Sequence, residues 1–333
     1  MRQTRCMKQL LLALVLFSSC GAAPAVQTQK AGGEKTAQAA VPTPETKGVD
    51  ASRLLEDVRE LSSDAMEGRR AGTKGGEMAR AYVERRFTEL GLKPFWPSYE
   101  QPFELKDGDK TVKCANVVAY VRGSSDPNTL VVVTAHYDHL GVRGGQIYNG
   151  ADDNASGVAV LMQLAAHYAH EAPRHTIVFA ALDAEEEGLV GARAFVKQLR
   201  AEKRDVALNV NMDMVSHNDR GELYASGAYY TPELKPLLEG VAAHAPAHLL
   251  LGHDRPEQGH DDWTNQSDQY EFHKAGIPFV YFGVEDHKDY HKPTDDFETI
   301  TPDFFVHAAQ TILDAVEALD AGPPALKKGG AAK

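Results

Sequence analysis

The chain has 333 residues with a formal net charge of −12, and 43% of its residues are apolar. That apolar fraction allows a large core, and the acidic excess argues against a nucleic-acid partner, because such binders normally present a basic face. The length could hold two average domains, yet single α/β domains of about 250 residues are ordinary.

The amino-terminal segment, residues 1–20, has the features of an export signal. Three basic side chains precede an apolar run at 10–17 that is too short to span a bilayer. The small residues that follow suit either a soluble secretory signal cleaved near Ala25 or a bacterial lipoprotein signal in which Cys20 becomes the lipidated terminus. We expect a protein exported to the bacterial periplasm, with membrane attachment through Cys20.

Residues 21–49 contain almost no large apolar side chain. They cannot bury enough surface to offset the entropy of ordering, which predicts a disordered tether. One catalytic domain is expected over residues 50–321 and a frayed tail over 322–333. Cys114 is the single cysteine beyond the signal, so no intramolecular disulfide can form, and its strand-like surroundings favour a small buried residue over a reactive thiol.

From residue 50 onward, helical and strand-like patterns alternate without an internal repeat or linker. Helices are predicted near residues 50–61 and at Glu77–Leu90, Ala155–His170, Leu189–Glu202, Pro232–Ala245, Gln269–Ala275 and Pro302–Leu319. Strands are predicted at Glu100–Leu105, Val112–Val121, Leu130–Ala135, His175–Leu182, Val206–Asp213, Glu222–Ala225 and Pro278–Tyr281. This alternation predicts an α/β fold, a three-layer α/β/α sandwich around a mixed, largely parallel sheet.

The strand predicted at Leu130–Ala135 ends in chemically active residues. His136 and Asp138 follow it directly, and a glycine-rich loop then leads to Asp152 and an apolar helix. In open α/β sheets the ligand crevice lies at the carboxyl ends of the strands. Burying unpaired charge there costs several kcal/mol, so these side chains indicate a compensating cation.

Three further predicted strands end in the same kind of residue. One runs into the acidic residues 185–187, another reaches Asp213, and His291 precedes a proline-containing turn. Each has an ordinary explanation by itself, because an acid at the first turn of a helix contributes up to about 1 kcal/mol, an aspartate can form an Asx turn and a lone histidine can lie on the surface. Their common position is better explained by a metal site.

Five side chains of metal-ligand type fall at these strand ends: His136, Asp152, Glu186, Asp213 and His291. The set is rich in carboxylates, has two imidazoles and lacks a thiolate. Such a set suits two hard or borderline divalent ions that share one bridging ligand.

Five segments carry a family resemblance: AHYDHLG, YNGADDNASG, DAEEEGLVGA, NMDMVS and YHKPTDD. In this order they resemble the signatures of metallopeptidase family 28, the dizinc aminopeptidase family. Its fold is shared with glutaminyl cyclases and the transferrin-receptor ectodomain. The resemblance spans roughly residues 50–318, and the short stretch before the strand at 112–121 leaves no room for the protease-associated insert of some relatives.

The resemblance implies a set of metal ligands. Asp152 would bridge two Zn²⁺ ions, for which Co²⁺ or Mn²⁺ could substitute. His136 and Asp213 would complete the ligands of one ion. Glu186 and His291 would complete those of the other.

The resemblance also implies catalytic roles. Glu185 would be the general base, although spacing alone does not separate it from Glu186. Asp138 would orient the imidazole of His136 and raise its basicity. The Asp152–Asp153 peptide would be cis. Thr264 stands where some relatives carry the tyrosine that stabilises the oxyanion.

The implied activity is hydrolysis of amino-terminal residues from peptides with a free amino terminus. The motifs leave carboxypeptidase and dipeptidase activity open, because pocket walls have no readable signature. They are also compatible with a single-zinc enzyme similar to glutaminyl cyclase and with an exported binding ectodomain without catalysis.

Overall fold

The structure is a computed structural model that describes residues 48–322. The predicted export signal, nearly all of the predicted tether and nearly all of the predicted tail lie outside these residues. The described residues all belong to one unit of the chain, residues 42–333. No helix in this described part is long and apolar enough to cross a membrane.

The helices of the described chain lie close to where the apolar periodicity predicts them. They are α1 Ala51–Leu61, α2 Lys74–Glu89, α3 Gly157–His170, α4 Val190–Ala201, α5 Leu234–Ala242, α6 Gln269–Lys274 and α7 Pro302–Ala321. Helix α2 begins three residues before its predicted start, because Thr73 caps it by accepting the N–H of Gly76.

The strands include every predicted one and four that were missed. They are β1 Lys93–Pro94, β2 Glu100–Asp107, β3 Lys110–Val121, β4 Asp126–His136, β5 Gly141–Arg143, β6 Gln146–Tyr148, β7 His175–Leu182, β8 Asp205–Met212, β9 Glu222–Ser226, β10 His248–Leu251 and β11 Phe279–Gly283. The missed strands, β1, β5, β6 and β10, have two to four residues, which is too short for a readable alternation.

The main sheet has the strand order β1-β3-β7-β4-β8-β11-β9-β10, with β2 paired to β3. Its centre, β7-β4-β8-β11, is parallel, whereas β3 and β9 run antiparallel to their central neighbours. Strands β5 and β6 form a separate hairpin. The predicted mixed, largely parallel sheet is confirmed.

Both faces of the central strands are buried. Along β4, Val131 and Val133 pack into the core under α1, α2, α3, α5 and α7, whereas Leu130 and Val132 pack with side chains of α4 and α6. A strand covered on both sides needs a continuous apolar run, which is why β4 lacks polar alternation. The fold is therefore the predicted α/β/α sandwich.

Candidate metal centre

Four neighbouring parallel strands bring the chemically active residues to one edge of the sheet. His136 is the last residue of β4, and Asp213 directly follows β8. Glu185 and Glu186 lie in the turn after β7, and His291 lies in the loop after β11. Because the carboxyl ends of parallel strands share an edge, these distant segments meet, as predicted.

The first group of ligands surrounds His136. Its Nε2 atom lies 3.2 Å from Asp213 Oδ1 and 3.5 Å from Asp153 Oδ1. All three side chains are buried. One imidazole and two carboxylates within this distance could hold a divalent ion.

The second group lies on the other side of Asp153. His291 Nε2 is 3.1 Å from Asp153 Oδ2 and 3.4 Å from Glu186 Oε1. His139 Nδ1 is 2.8 Å from the same Glu186 oxygen and 3.6 Å from Asp153 Oδ2. The two oxygens of Asp153 therefore face two different groups, which is the position expected of a shared ligand.

The predicted shared ligand, Asp152, does not reach either group. Its Oδ1 accepts the main-chain N–H and the hydroxyl of Ser216 at 2.7 and 2.8 Å, and its Oδ2 lies 3.1 Å from His287 Nε2. Successive side chains of this turn point to different sides, so Asp153 occupies the position that the sequence assigned to its neighbour. The cis peptide is likewise one residue later than predicted, at Asp153–Asn154.

Asp295 and Gly150 fix the turn that presents Asp153. The main-chain N–H groups of Asp152 and Asp153 donate to the two carboxylate oxygens of Asp295 at 3.0 and 3.1 Å. Gly150 has a positive φ of 58°, and a Cβ atom there would lie 2.5 Å from the His139 ring. A side chain at position 150 would thus collide with the metal centre.

Arg69 supports the same turn from behind. It is fully buried and donates at 2.5 to 2.8 Å to the carbonyl oxygens of Leu61, Tyr137, Asn149 and Gly150. Burial lowers the pKa of its guanidinium to about 10, so it remains charged at neutral pH. The buried positive charge of Arg69 reduces the repulsion among the neighbouring carboxylates. Its hydrogen bonds join the segment directly after β4, at Tyr137, to the start of the turn at Asn149 and Gly150.

Removing this side chain should destabilise the fold strongly. Arg69→Leu removes a donor from four buried carbonyl groups, of which only that of Gly150 keeps another donor, the N–H of Ala155, and we expect a loss of at least about 3 kcal/mol in the free energy of unfolding. Urea denaturation followed by circular dichroism measures it. Arg85→Leu is the matched control, because Arg85 is largely exposed and its stability effect should be small. Equal effects of the two changes would contradict the role of Arg69.

Asp138 connects the two halves of the centre. Its carboxylate accepts the N–H groups of Glu185 and Glu186 at 3.0 and 3.3 Å. Its carboxylate lies 3.7 Å from His136 Nδ1, whereas its carbonyl oxygen lies 3.2 Å from that nitrogen. Asp138 thus contacts His136 mainly through its main chain, and its carboxylate fixes the turn that carries the two glutamates.

The electrostatics of the centre favour a positive partner. Burial and the nearby carboxylate of Glu186 raise the pKa of Asp153, and burial raises that of Glu185. For Glu186, the hydrogen bonds and charges of His139 and His291 outweigh burial and lower the pKa. A cation bound here would offset the repulsion among these buried carboxylates.

The donors fit a metal ion. The Nε2 atom of His139 is buried without a hydrogen-bond partner, and its Nδ1 and Oε1 of Glu186 contact only other side chains of the two groups. Buried polar atoms are normally satisfied, so such atoms indicate the position of a ligand. Imidazole and carboxylate donors without thiolate suit Zn²⁺ or a similar divalent ion.

A cleft of about 260 Å³ opens onto the centre. Its lining includes the candidate ligands Asp153, Glu186, Asp213 and His291 together with Glu185. The lining also includes the apolar and aromatic side chains of Leu189, Met214, Trp263, Tyr281, Val284 and Tyr290. A small substrate could therefore reach the metal ligands from solvent.

Four residues of the centre were missed from the sequence: Arg69, His139, Asp153 and Asp295. Arg69 and Asp295 contribute through contacts across more than 80 positions. The sequence favours an ordinary structural role for His139. The available signal was its position three residues after His136, just beyond the end of the same strand.

The α/β sandwich thus carries a cluster of metal-ligand side chains at the carboxyl edge of its sheet. The model described as Peptidase family M28 matches residues 116–316, more than half of the chain. The chain belongs to this family, which confirms the predicted membership of metallopeptidase family 28.

Relatives of known sequence are similar over parts of the chain. A probable zinc metalloprotease of Leptosphaeria maculans is 42% identical over 117 residues, which is 33% of this chain and 27% of the fungal protein. The alkaline phosphatase isozyme conversion protein of Escherichia coli is 26% identical over 230 residues, 63% of this chain and 66% of that protein. The chain thus matches only about a quarter of the length of the fungal protein.

Solved structures share the fold over most of the chain. A zinc aminopeptidase from Bacillus subtilis has a TM-score of 0.67 at 18% identity and covers 82% of this chain and 96% of its own. A glutaminyl cyclase from Bacteroides thetaiotaomicron has a TM-score of 0.65 at 17% identity and covers 82% and 99%. At these identities the likeness establishes the fold.

Proposed function

We propose that this chain is a dizinc exopeptidase that removes residues from the free amino terminus of peptides. One observation carries the proposal: the two oxygens of Asp153 face two separate groups of metal-ligand side chains. His136 and Asp213 would hold one ion, and Glu186 and His291 the other, with His139 beside the second. A carboxylate shared in this way is the usual bridge of two-metal hydrolases.

Glu185 supplies the proton transfer. Bound zinc lowers the pKa of water toward neutrality and polarises the scissile carbonyl group. Glu185 accepts the proton of the attacking water and passes it to the departing amine. Asp138 holds the main chain of Glu185 in place for this role.

The charge of the cleft favours an amino terminus over a carboxyl terminus. Among the described residues that line it, none is Lys or Arg, and Asp286 adds a further acid at its wall. A carboxypeptidase needs a cation to bind the terminal carboxylate of its substrate, whereas an acidic cleft attracts an ammonium group. This observation supports aminopeptidase activity over carboxypeptidase activity.

The test compares substrates that differ only at the amine. The purified chain is depleted of metal with a chelator, reloaded with Zn²⁺ and assayed on a leucine p-nitroanilide and on its N-acetylated form. We expect turnover of the free amine alone, and none before reloading. Equal cleavage of both substrates would overturn the amino-terminal specificity.

Glutaminyl cyclase activity is the second candidate, and the similarity to solved glutaminyl cyclases favours it. A peptide with amino-terminal glutamine distinguishes the two reactions by mass. Release of free glutamine adds water across the peptide bond, whereas cyclisation releases ammonia and leaves the peptide bond intact. We expect hydrolysis.

Some relatives stabilise the oxyanion with a tyrosine at the position where this chain has Thr264. In this chain we expect Tyr290 to stabilise the oxyanion instead. It lines the cleft and stacks on His291 with ring centroids 4.0 Å apart, and burial raises its pKa so that the hydroxyl keeps its proton. Tyr290→Phe keeps the ring but removes the donor. We expect kcat to fall on the order of a hundredfold with little change in zinc content.

Separate measurement of kcat and KM tests this role. Tyr229→Phe is the control, because Tyr229 is exposed and lies outside the group of residues that line the cleft. A Tyr290→Phe enzyme with unchanged kcat would exclude the hydroxyl from the reaction.

A further inference from the structure

A further group of metal-ligand side chains, distinct from the two groups that Asp153 joins, lies beside the metal centre. It consists of His217 in the loop after β8 and of His287 and Asp289 in the loop after β11. Each residue offers one ligand atom, and these three atoms lie within 4.8 Å of one another. None of the three lines the catalytic cleft.

Two atoms of this group are buried without a partner. Asp289 is only 6% exposed, and its Oδ1 accepts the hydroxyl of Thr294 at 2.8 Å, but its Oδ2 has no hydrogen bond. The Nδ1 atom of His217 is also buried and unpaired. A buried carboxylate oxygen and a buried imidazole nitrogen that both lack a partner indicate the position of a ligand.

The third member, His287, is oriented as metal-bound histidines usually are. Its Nε2 lies 3.1 Å from Asp152 Oδ2, and its Nδ1 accepts the N–H of Asp289 at 3.3 Å. The proton is therefore on Nε2, and an ion bound at Nδ1 would replace the long hydrogen bond that this nitrogen accepts from the main chain of Asp289. A carboxylate on the far nitrogen fixes the tautomer and raises the basicity of the ligating nitrogen.

The charges of the group also favour a cation. The rings of His217 and His287 stack with centroids 3.9 Å apart at 13°, so two protonated rings would repel each other. Asp152, Asp289 and Asp295 add negative charge around the pair.

We propose that His217, His287 and Asp289 bind a further divalent cation of the zinc class, separate from the peptidase centre. Two imidazoles and one carboxylate are a common protein ligand set for Zn²⁺. An ion bound by both rings must lie near the plane of each, so binding tilts the two rings out of their stack. The ion joins the loop that carries Asp213 to the loop that carries His291.

The count of zinc ions in the purified full chain tests the site. After saturation with Zn²⁺ and removal of free metal, elemental analysis should find three ions per wild-type chain. His217→Gln and Asp289→Asn should each lose one ion. His244→Gln is the control for loss of a histidine, because His244 is exposed and lies outside these groups, and it should keep the wild-type number.

A thermal measurement distinguishes the loss of this ion from misfolding of a variant. Zinc added beyond the amount that fills the peptidase centre should raise the Tm of the wild type but not that of Asp289→Asn. The asparagine variant keeps the shape of the side chain and an acceptor for Thr294. His291→Gln reports on the peptidase centre independently, so its outcome does not decide this site. Equal zinc content in the wild type, His217→Gln and Asp289→Asn would overturn the proposal.

Discussion

The Glu185→Gln variant is expected to bind zinc as the wild type does and to lose turnover by a factor on the order of a thousand or more. General-base groups contribute about 100-fold to 10,000-fold to a rate, and a glutamine of the same shape cannot accept a proton. KM should change little, because the amide fills the same space in the cleft. This combination separates a base from a metal ligand.

The surroundings of Glu185 support its proposed role as the base and distinguish it from its neighbour Glu186. Glu186 Oε1 lies within 3.4 Å of both His139 and His291, so its carboxylate belongs to a group of metal ligands. Glu185 lines the cleft and lies outside those groups. Burial raises its pKa, which makes it a better proton acceptor than an exposed glutamate.

The next acid in the chain provides a matched control. Glu187 lies one residue further on, and its carboxylate forms an ion pair with Arg70 at 3.0 Å. Glu187→Gln removes the same charge from the same turn but should retain nearly all activity. Steady-state kinetics on a leucine p-nitroanilide, together with zinc analysis, measures both variants. If Glu185→Gln remained active, or if both variants were equally impaired, the assigned base would be refuted.

The part of the site that the sequence could predict depends on strand ends. His136, Asp213 and Glu186 follow buried apolar runs, and parallel strands bring their carboxyl ends to one edge whatever the loops do. His291 could be predicted because its motif resembles that of the family. These four side chains lie together in the structure.

The remainder depends on conformations that residue patterns do not encode. The choice between Asp152 and Asp153 is made by the backbone of an irregular turn, where Asp153 and Asn154 depart from helical φ and ψ. That turn is held by Arg69 and Asp295, which are distant in the sequence. No periodicity of a single chain reports such contacts, so a one-residue error at this position is the expected kind of failure.

The two adjacent aspartates provide the sharpest test of the metal centre. Asp153→Asn removes one charge from both groups of ligands at once. Changes outside the ligand shell already cost about 10-fold to 100-fold in metal affinity, so replacing a shared ligand should weaken zinc binding by more than about 100-fold. We expect the variant to lose both ions of the centre and all measurable activity.

Asp152→Asn makes the same chemical change one residue earlier, at a side chain that contacts Ser216 and His287. It should keep the two ions of the centre and most of kcat. Its cost should appear in stability, at roughly 1–3 kcal/mol for a weakened buried charged acceptor. The ion proposed at His217 and His287 is the only one that this variant should bind less tightly.

Zinc content and kcat, measured side by side for the two variants, distinguish the two assignments. If Asp152→Asn emptied the centre and Asp153→Asn did not, the bridge would be Asp152 and the turn would have the opposite orientation in solution. If both emptied it, the carboxylates would act as one unit, because Asp295 accepts the N–H groups of both residues and couples their positions. Only loss at Asp153 alone agrees with a carboxylate whose two oxygens face two ions.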